Sequence, residues 1–181
     1  MEETARYFVE QLFWNGVYEN EIRQVYEILK DQENRIFDLC WYDMGGDVMD
    51  YVQGVVSKGQ VFVVKDKTSP EEIAALFMLD KARTFGEVIV RCDIHTAVRK
   101  KYWGKQSREI MEVFRQYVNK NFYIKKIVAS VPQCGYGVIK LLKDIGFTHE
   151  GTLRNSLLFH DKNKIPKWYD ELIYSLTRED I

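Results

Sequence analysis

The stretch that most constrains this 181-residue chain lies between residues 86 and 121. A segment rich in β-branched residues, 86–96, runs into the basic turn Arg99-Lys100-Lys101-Tyr102-Trp103-Gly104-Lys105-Gln106-Ser107-Arg108. An amphipathic helix follows over 104–121, with Ile110, Met111, Phe114, Tyr117 and Val118 on one face. A strand handed to a helix through a glycine turn is a building block of layered α/β architecture. The hand-over is also a place for an anion. A helix start offers unpaired N–H groups and the positive end of the helix dipole, and Gly104 lets a ligand approach the backbone closely. Arg99, Lys100, Lys101, Lys105 and Arg108 add positive charge at the same point. On these residues alone, a solvated basic turn is an equally good reading.

The charge of the whole chain makes any such site a local one. Lys and Arg number 26 against 27 Asp and Glu, for a net charge of −1, so no global field recruits nucleic acid or an anionic membrane. The N-terminus carries acidic residues where a secretory leader would need basic ones, and no apolar run is long enough to span a bilayer. The expectation is a soluble, cytoplasmic protein. Cys40, Cys92 and Cys134 are widely spaced and lack a CxxC pair, which points to reduced thiols and no metal site. Cys134 lies in a loop, but no His or Asp pattern accompanies it as a nucleophile.

With no repeat and only three prolines, the chain reads as one domain over 1–181. Residues 1–58 are expected to be mainly helical. A short helix is expected over 4–14 and a longer one over 19–41, where Ile22, Val25, Tyr26, Leu29, Ile36, Phe37 and Cys40 recur at helical spacing. A third is expected over about 47–57, after Gly45-Gly46. From residue 60 the period changes. Strands are expected over 60–64 and 86–96, with a turn at 66–69. Between them, Ser69-Pro70-Glu71-Glu72 imitates a capped helix start, yet its position between two strands favours the middle strand of an antiparallel meander. Then follow a strand over 126–131, a helix over 137–145 closed by Gly146, and two paired strands over 147–159 and 168–176.

The segment 88–96 also carries candidate chemistry. Val88, Val90, Cys92 and Ile94 form its apolar face, and Arg91, Asp93 and His95 fall on the other. Three polar residues on one face of a central strand are costly to bury, so that face is expected to border a cleft. His95 or Asp93 is a candidate general base. The alternative is a structural ion pair between Arg91 and Asp93, with His95 merely hydrogen-bonded.

Several of these motifs together resemble one family. Tyr102-Trp-Gly-Lys105 is similar to the acyl-CoA loop of the GCN5-related N-acetyltransferase (GNAT) superfamily. Val131-Pro132, Ile139-Lys-Leu-Leu142, Ile145-Gly-Phe147 and Glu150-Gly-Thr-Leu-Arg154 resemble its later strand, helix and Gly-Phe corner. Glu-Gly-x-Leu-Arg, with Trp168-Tyr-Asp170 and Tyr174-Ser-Leu176, is closest to the branch that acetylates ribosomal-protein N-termini and polyamines. The resemblance covers about 60–176. It implies an α/β (α+β) fold with a mixed, mainly antiparallel central sheet and helices on both faces, acting as an acetyl-CoA-dependent N-acetyltransferase on a small-molecule or peptide amine, without metal or membrane.

In that family the fourth and fifth strands splay apart around the pantetheine arm. The resemblance therefore makes Ile94, Thr96, Lys101, Tyr102, Trp103, Gly104, Lys105, Gln106, Ser107 and Gly135 the cofactor-binding residues, with backbone N–H near 94–96 facing the oxyanion. Glu150 is a weaker candidate base, and Trp168 and Tyr169 are packing residues. Three positions depart from the pattern. Gln106 stands where a small residue is usual, Gly135 where an Asn commonly contacts the cofactor, and Leu142 where many members carry a proton-donating Tyr. The departures keep open a non-catalytic CoA-binding protein, such as one of phage or mobile-element type, and the basic run keeps open a nucleic-acid-directed modifier.

Overall fold

The computed structural model describes residues 6–13, 19–33, 53–54, 56–57, 60–160 and 165–178. Among the described residues, seven strands form one sheet: β1 Tyr7–Leu12, β2 Val61–Asp66, β3 Ser69–Phe85, β4 Val88–Val98, β5 Lys126–Pro132, β6 Thr148–His160 and β7 Pro166–Thr177. Their spatial order is β1-β2-β3-β4-β5-β7-β6, and every neighbouring pair is antiparallel except β4 and β5. The helices are α1 Glu19–Glu33, α2 Lys105–Asn121 and α3 Tyr136–Asp144, with a 3₁₀ turn at Lys100–Tyr102. This is an α+β architecture with a mixed, mostly antiparallel sheet.

Alternation along the strands sorts the core onto two faces. Phe62, Val64, Phe77, Leu79, Cys92 and Ile94 pack against Ile110, Met111, Phe114 and Val118 of α2 and Leu142 of α3. Phe77 stacks on Phe114 at a centroid distance of 4.0 Å, and Phe62 meets Phe114, Tyr117 and Phe122 edge-on. On the opposite face Val61, Val63, Leu76, Met78 and Ala97 pack against Ile22, Val25, Ile28 and Leu29 of α1. Helices therefore cover both faces. Lys65, buried on β2, clamps α1 to β1 through Glu21 (3.0 Å) and Glu10 (2.9 Å).

The first third of the chain differs from its helical expectation. Residues 7–12 form β1, an edge strand paired with β2 from Tyr7↔Asp66 to Leu12↔Val61. The Tyr7-Phe8-Val9 run suits a pleated surface, and β2 would otherwise leave its outer row of N–H and C=O groups open. Arg6 fastens this strand by binding the buried Asp66 carboxylate at 2.6 Å. The second expected helix exists over Glu19–Glu33; its continuation over 34–41 lies outside the described residues. Of the third, residues 53–54 and 56–57 are helical, and the rest lies outside the described residues.

Ser69–Phe85 is a strand throughout, so pairing on both sides overrides the local helix-start signal. It continues past residue 79 through a bulge at Lys81, whose φ is +48°. β6 is also bulged, between His149 and Gly151 and, more widely, between Leu153 and Leu157. Between the pairs Leu153↔Glu171 and Leu157↔Tyr169, β6 uses two more residues than β7. Asn155 turns to φ +47° there, its N–H donating to Asp170 Oδ1 at 2.9 Å, while the Ser156 hydroxyl donates to Glu171 Oε2 at 2.8 Å.

Candidate active site

The sheet opens along one seam. β4 and β5 pair in parallel at Cys92↔Ile127 and Asp93↔Val128, with a further bridge at Ile89↔Ile124. No β4–β5 pair follows Asp93↔Val128 among the described residues, although β4 runs on to Val98 and β5 to Pro132. In an antiparallel ladder, residues that bond across the pair alternate with residues whose backbone groups turn outward. Arg99 N–H donates to Ala74 O at 3.0 Å, which sets the phase: Ile94, Thr96 and Val98 turn their backbone groups toward β5. On the other side, Gln133 N–H donates to Asp170 O and Arg178 N–H to Lys125 O, so Val128, Ser130 and Pro132 turn toward β4.

The upper end of this opening is closed off on both strands. Pro132 has no N–H to offer, and its carbonyl accepts the Gly135 N–H at 2.8 Å. The Val98 carbonyl accepts the Trp103 indole N–H at 2.9 Å. Between these ends the backbone groups of Thr96 and Ser130 face each other across the gap. The Thr96 hydroxyl is buried and has no hydrogen-bond partner among the described residues.

Beside the opening, α2 begins at Gly104, which has φ +84° and ψ −126°. That conformation is one that L side chains rarely adopt, and it explains the glycine better than crowding does, because a Cβ there would meet nothing within 4 Å. Among the described residues no side chain caps the helix, and no acidic residue stands in its first turn. The Ser107 hydroxyl donates to Gly104 O at 2.7 Å, leaving the first N–H groups open. With the Gln106 amide oriented to suit its neighbours, its nitrogen donates to Lys101 O at 3.2 Å and its oxygen accepts from Arg6 Nη1 at 3.3 Å. Its bulk is thus tied to both residues.

The basic run is occupied differently from its sequence expectation as a free cluster of cations. Arg99 Nε donates to Ile73 O at 2.7 Å, with Glu72 at 3.8 Å. Lys101 is ion-paired to Glu72 and Arg108 to Asp144, and Lys105 lies 4.0 Å from Glu109. Glu72 and Asp144 come from β3 and α3, elements that no local reading of 99–108 brings near, whereas Glu109 lies one turn along α2 from Lys105. Tyr102 is buried, meeting Tyr7 edge-on at 6.3 Å. The remaining attraction for an anion therefore rests mainly on the fixed N–H groups of the helix start.

Asp93 and His95 lie on the α1 face, beside Met78 and Asp80 of β3, in the pairs Asp80↔Asp93 and Met78↔His95. Two carboxylates directly opposite repel, and cations answer them. Lys81 Nζ lies 3.5 Å and Arg91 3.3 Å from the Asp93 carboxylate. Burial pushes the His95 imidazole below the usual histidine range, with Asp80 pulling it up, Lys81 pushing it down and Asp93 pulling it up. It is therefore neutral at neutral pH, the form that accepts a proton. On the apolar face Cys92 and Ile94 are buried, whereas Val90 is 45 % exposed where the strand runs past the core. Burial drives the Cys92 thiol up to about 12, so it stays protonated and inert.

Gly135 and Leu142 have structural explanations. A Cβ on Gly135 would lie 2.9 Å from Val131 Cγ1 and 3.1 Å from Pro132 O, so the tight turn between β5 and α3 excludes a side chain. Leu142 is buried in the core with α2. Burial also raises the Cys134 thiol. Glu150 is hydrogen-bonded by the Ser175 hydroxyl and paired with Lys126 at 2.9 Å, which holds its carboxyl below the usual range. Sequence reasoning missed Arg6, Ser130 and Gln24, each of which reaches the site through strand order or long-range packing.

No family model matches the chain, and no curated protein matches it. Solved structures do. Spermidine N-acetyltransferase from Vibrio cholerae, in complex with CoA and spermine, superposes with a TM-score of 0.74 at 14% identity, covering 98% of both chains. Ribosomal-protein-S5-alanine acetyltransferase from Vibrio fischeri gives 0.69 at 16% identity, covering 98% of this chain and 96% of that one. A GNAT-family acetyltransferase from Bacillus anthracis gives 0.68 at 18% identity, covering 96% of each.

Proposed function

We propose, from a fold shared with GNAT acetyltransferases and from the site geometry, that the chain is an acetyl-CoA-dependent N-acetyltransferase acting on a small-molecule or peptide amine. One observation carries the reading: the parallel seam stops at Asp93↔Val128 directly beside a helix start that carries no cap. An open strand edge and a fixed array of N–H donors suit an extended amide-bearing arm that ends in a pyrophosphate. The orphaned Thr96 hydroxyl and the clear space at Gly104 fit the same ligand.

Bound acetyl-CoA supplies an activated acetyl group. The chain's own contribution is to orient it and to manage charge. Residues Gly104 to Ser107 hold the phosphates through backbone N–H groups, and Thr96 and Ser130 pair with the arm. His95, neutral and on the α1 face, takes the proton that an amine must lose, directly or through water. The Thr96 N–H, turned into the gap, stabilises negative charge as it develops on the acetyl oxygen. Asp93, balanced by Lys81 and Arg91, has an electrostatic role beside His95. The Vibrio cholerae enzyme was solved with spermine, which makes polyamines the first acceptors to try, with ribosomal-protein N-termini next.

A second reading, CoA binding without turnover, is favoured by Leu142, which is buried in the core and has no proton to give a departing thiolate. The two separate in one experiment. CoA at about a hundred times its dissociation constant adds roughly 2.7 kcal/mol of stability in either case, while acetyl transfer to an amine panel occurs only in the first. Absence of a thermal shift at millimolar CoA removes both. The nucleic-acid reading is weakened by the near-neutral net charge and by the pairing of Arg99, Lys101 and Arg108 with carboxylates.

A further inference from the structure

Gln24 lies on α1, and its side chain reaches across to the edge of the phosphate turn. Its Oε1 accepts from Ile73 N–H at 3.0 Å and from Arg99 Nη2 at 3.2 Å, and its Nε2 donates to Glu71 O at 2.8 Å. Arg99 answers on β3, with its Nε on Ile73 O and its backbone N–H on Ala74 O. Glu72, between these residues, binds both Arg99 and Lys101. The turn itself hangs from Arg99. Tyr102 N–H donates to Arg99 O at 2.9 Å and Trp103 N–H to Lys100 O at 3.2 Å, and Gly104 follows.

We propose that Gln24 is a positioning residue that ties α1 to the phosphate turn, so that the helix covering the His95 face and the start of α2 hold one geometry together. The proposal rests on the CoA reading for its function and on hydrogen bonds alone for its structure. An amide suits this post because it gives and accepts at once: it bonds to β3 on either side of Glu72 and still has a lone pair for Arg99. The coupling runs through packed, hydrogen-bonded elements with no gap between α1 and Gly104, the kind of path along which substitutions change affinity at a distance.

The test compares Gln24→Leu, Gln24→Glu and Val25→Ala. Glutamate keeps both acceptor bonds, toward Ile73 N–H and Arg99, and exchanges the donor to Glu71 O for a carboxylate oxygen that must turn away from it. Val25 is fully buried under α1 but takes no part in the network. The expected result is faster amide hydrogen exchange across 99–105 in Gln24→Leu, with β5 and β7 unchanged, and CoA binding weakened about three- to tenfold. Gln24→Glu restores both, and Val25→Ala lowers the melting temperature without either local effect. Unchanged exchange at 99–105 in Gln24→Leu overturns the proposal, as does Val25→Ala reproducing the whole pattern. If the wild-type protein binds no CoA, the functional reading fails, and exchange still decides whether the tether exists.

Discussion

The two halves of the β4–β5 seam are made by the same pair of strands, and they differ in what each residue is free to do. In the lower half, Cys92 and Asp93 are held by Ile127 and Val128, and the thiol is buried and kept protonated. In the upper half, Thr96 and Ser130 face each other without pairing, and the ends are sealed by a proline, a turn and an indole. A sheet normally gains from continuing its ladder. Here Pro132 lacks the N–H that the far end of a continued ladder would need, and Gly135 and Trp103 take the Pro132 and Val98 carbonyls there. The difference teaches that the far end of the opening is closed off by the backbone chemistry of these residues, while Thr96 and Ser130 between keep their groups turned into the gap.

The largest expected effect breaks the open half from its helix side. Gly104→Glu should weaken CoA binding by more than about a hundredfold, since the carboxylate repels the phosphates. The φ of +84° adds strain of roughly 1–3 kcal/mol, so a modest fall in melting temperature accompanies a folded circular dichroism spectrum. Lys105→Ala, at a surface cation 91 % exposed, should cost little. Calorimetric titration measures both, and full affinity in Gly104→Glu would put the anion site elsewhere.

Next, His95→Ala should lower kcat about a hundredfold while leaving CoA affinity within twofold, because its imidazole lies on the α1 face, away from the phosphate turn. Asp93→Asn should cost less, as Asp93 is already held by Lys81 and Arg91. Steady-state rates across pH are the measurement. Retention of full rates in both variants would assign proton removal to another group or to solvent.

Gly135→Ala tests the turn that closes the opening. Its new methyl must push aside Val131 or the Pro132 carbonyl, a cost of roughly 1–3 kcal/mol visible in thermal or urea unfolding. A variant as stable as wild type would mean that the turn yields easily.

The smallest effect is a pH dependence. The folded pKa of His95 lies below the ordinary 6.5, so the folded state binds this proton less readily than the unfolded one. The associated stability is complete above that value and is lost as pH falls through it toward the folded pKa. Melting temperatures of wild type and His95→Gln should therefore run parallel above about pH 7 and converge below it. Parallel curves down to pH 5 would contradict the burial of the imidazole.

Much of the fold could be read from the chain because its signals are local. The change of period at residue 60, the amphipathic face of α2 and the glycines at 104 and 146 each act over a few residues, and all three correspond to observed elements. Residues 7–12 were illegible for the opposite reason. Their conformation is decided by β2, about fifty positions away, whose unpaired edge outweighs a weak helical pattern. The site divides in the same way. Gly104 and the placement of Asp93 and His95 on the face opposite Cys92 and Ile94 follow from spacing, whereas the partners of the basic run, Glu72 and Asp144, depend on how distant elements pack. Gly135 read as a missing contact, and only the turn geometry reveals a position without room for one.

The bulge in β6 has a bearing on how the protein behaves at high concentration. β6 is the outermost strand and thirteen residues long, and a straight edge of that length is a template on which another chain can add. The two extra residues around Asn155, pinned by Asp170 and Glu171, twist the edge and break its ladder. The exposed Leu153, Leu158 and Trp168 lie on this same hairpin, so the kink works against an apolar edge meeting its own copy in register.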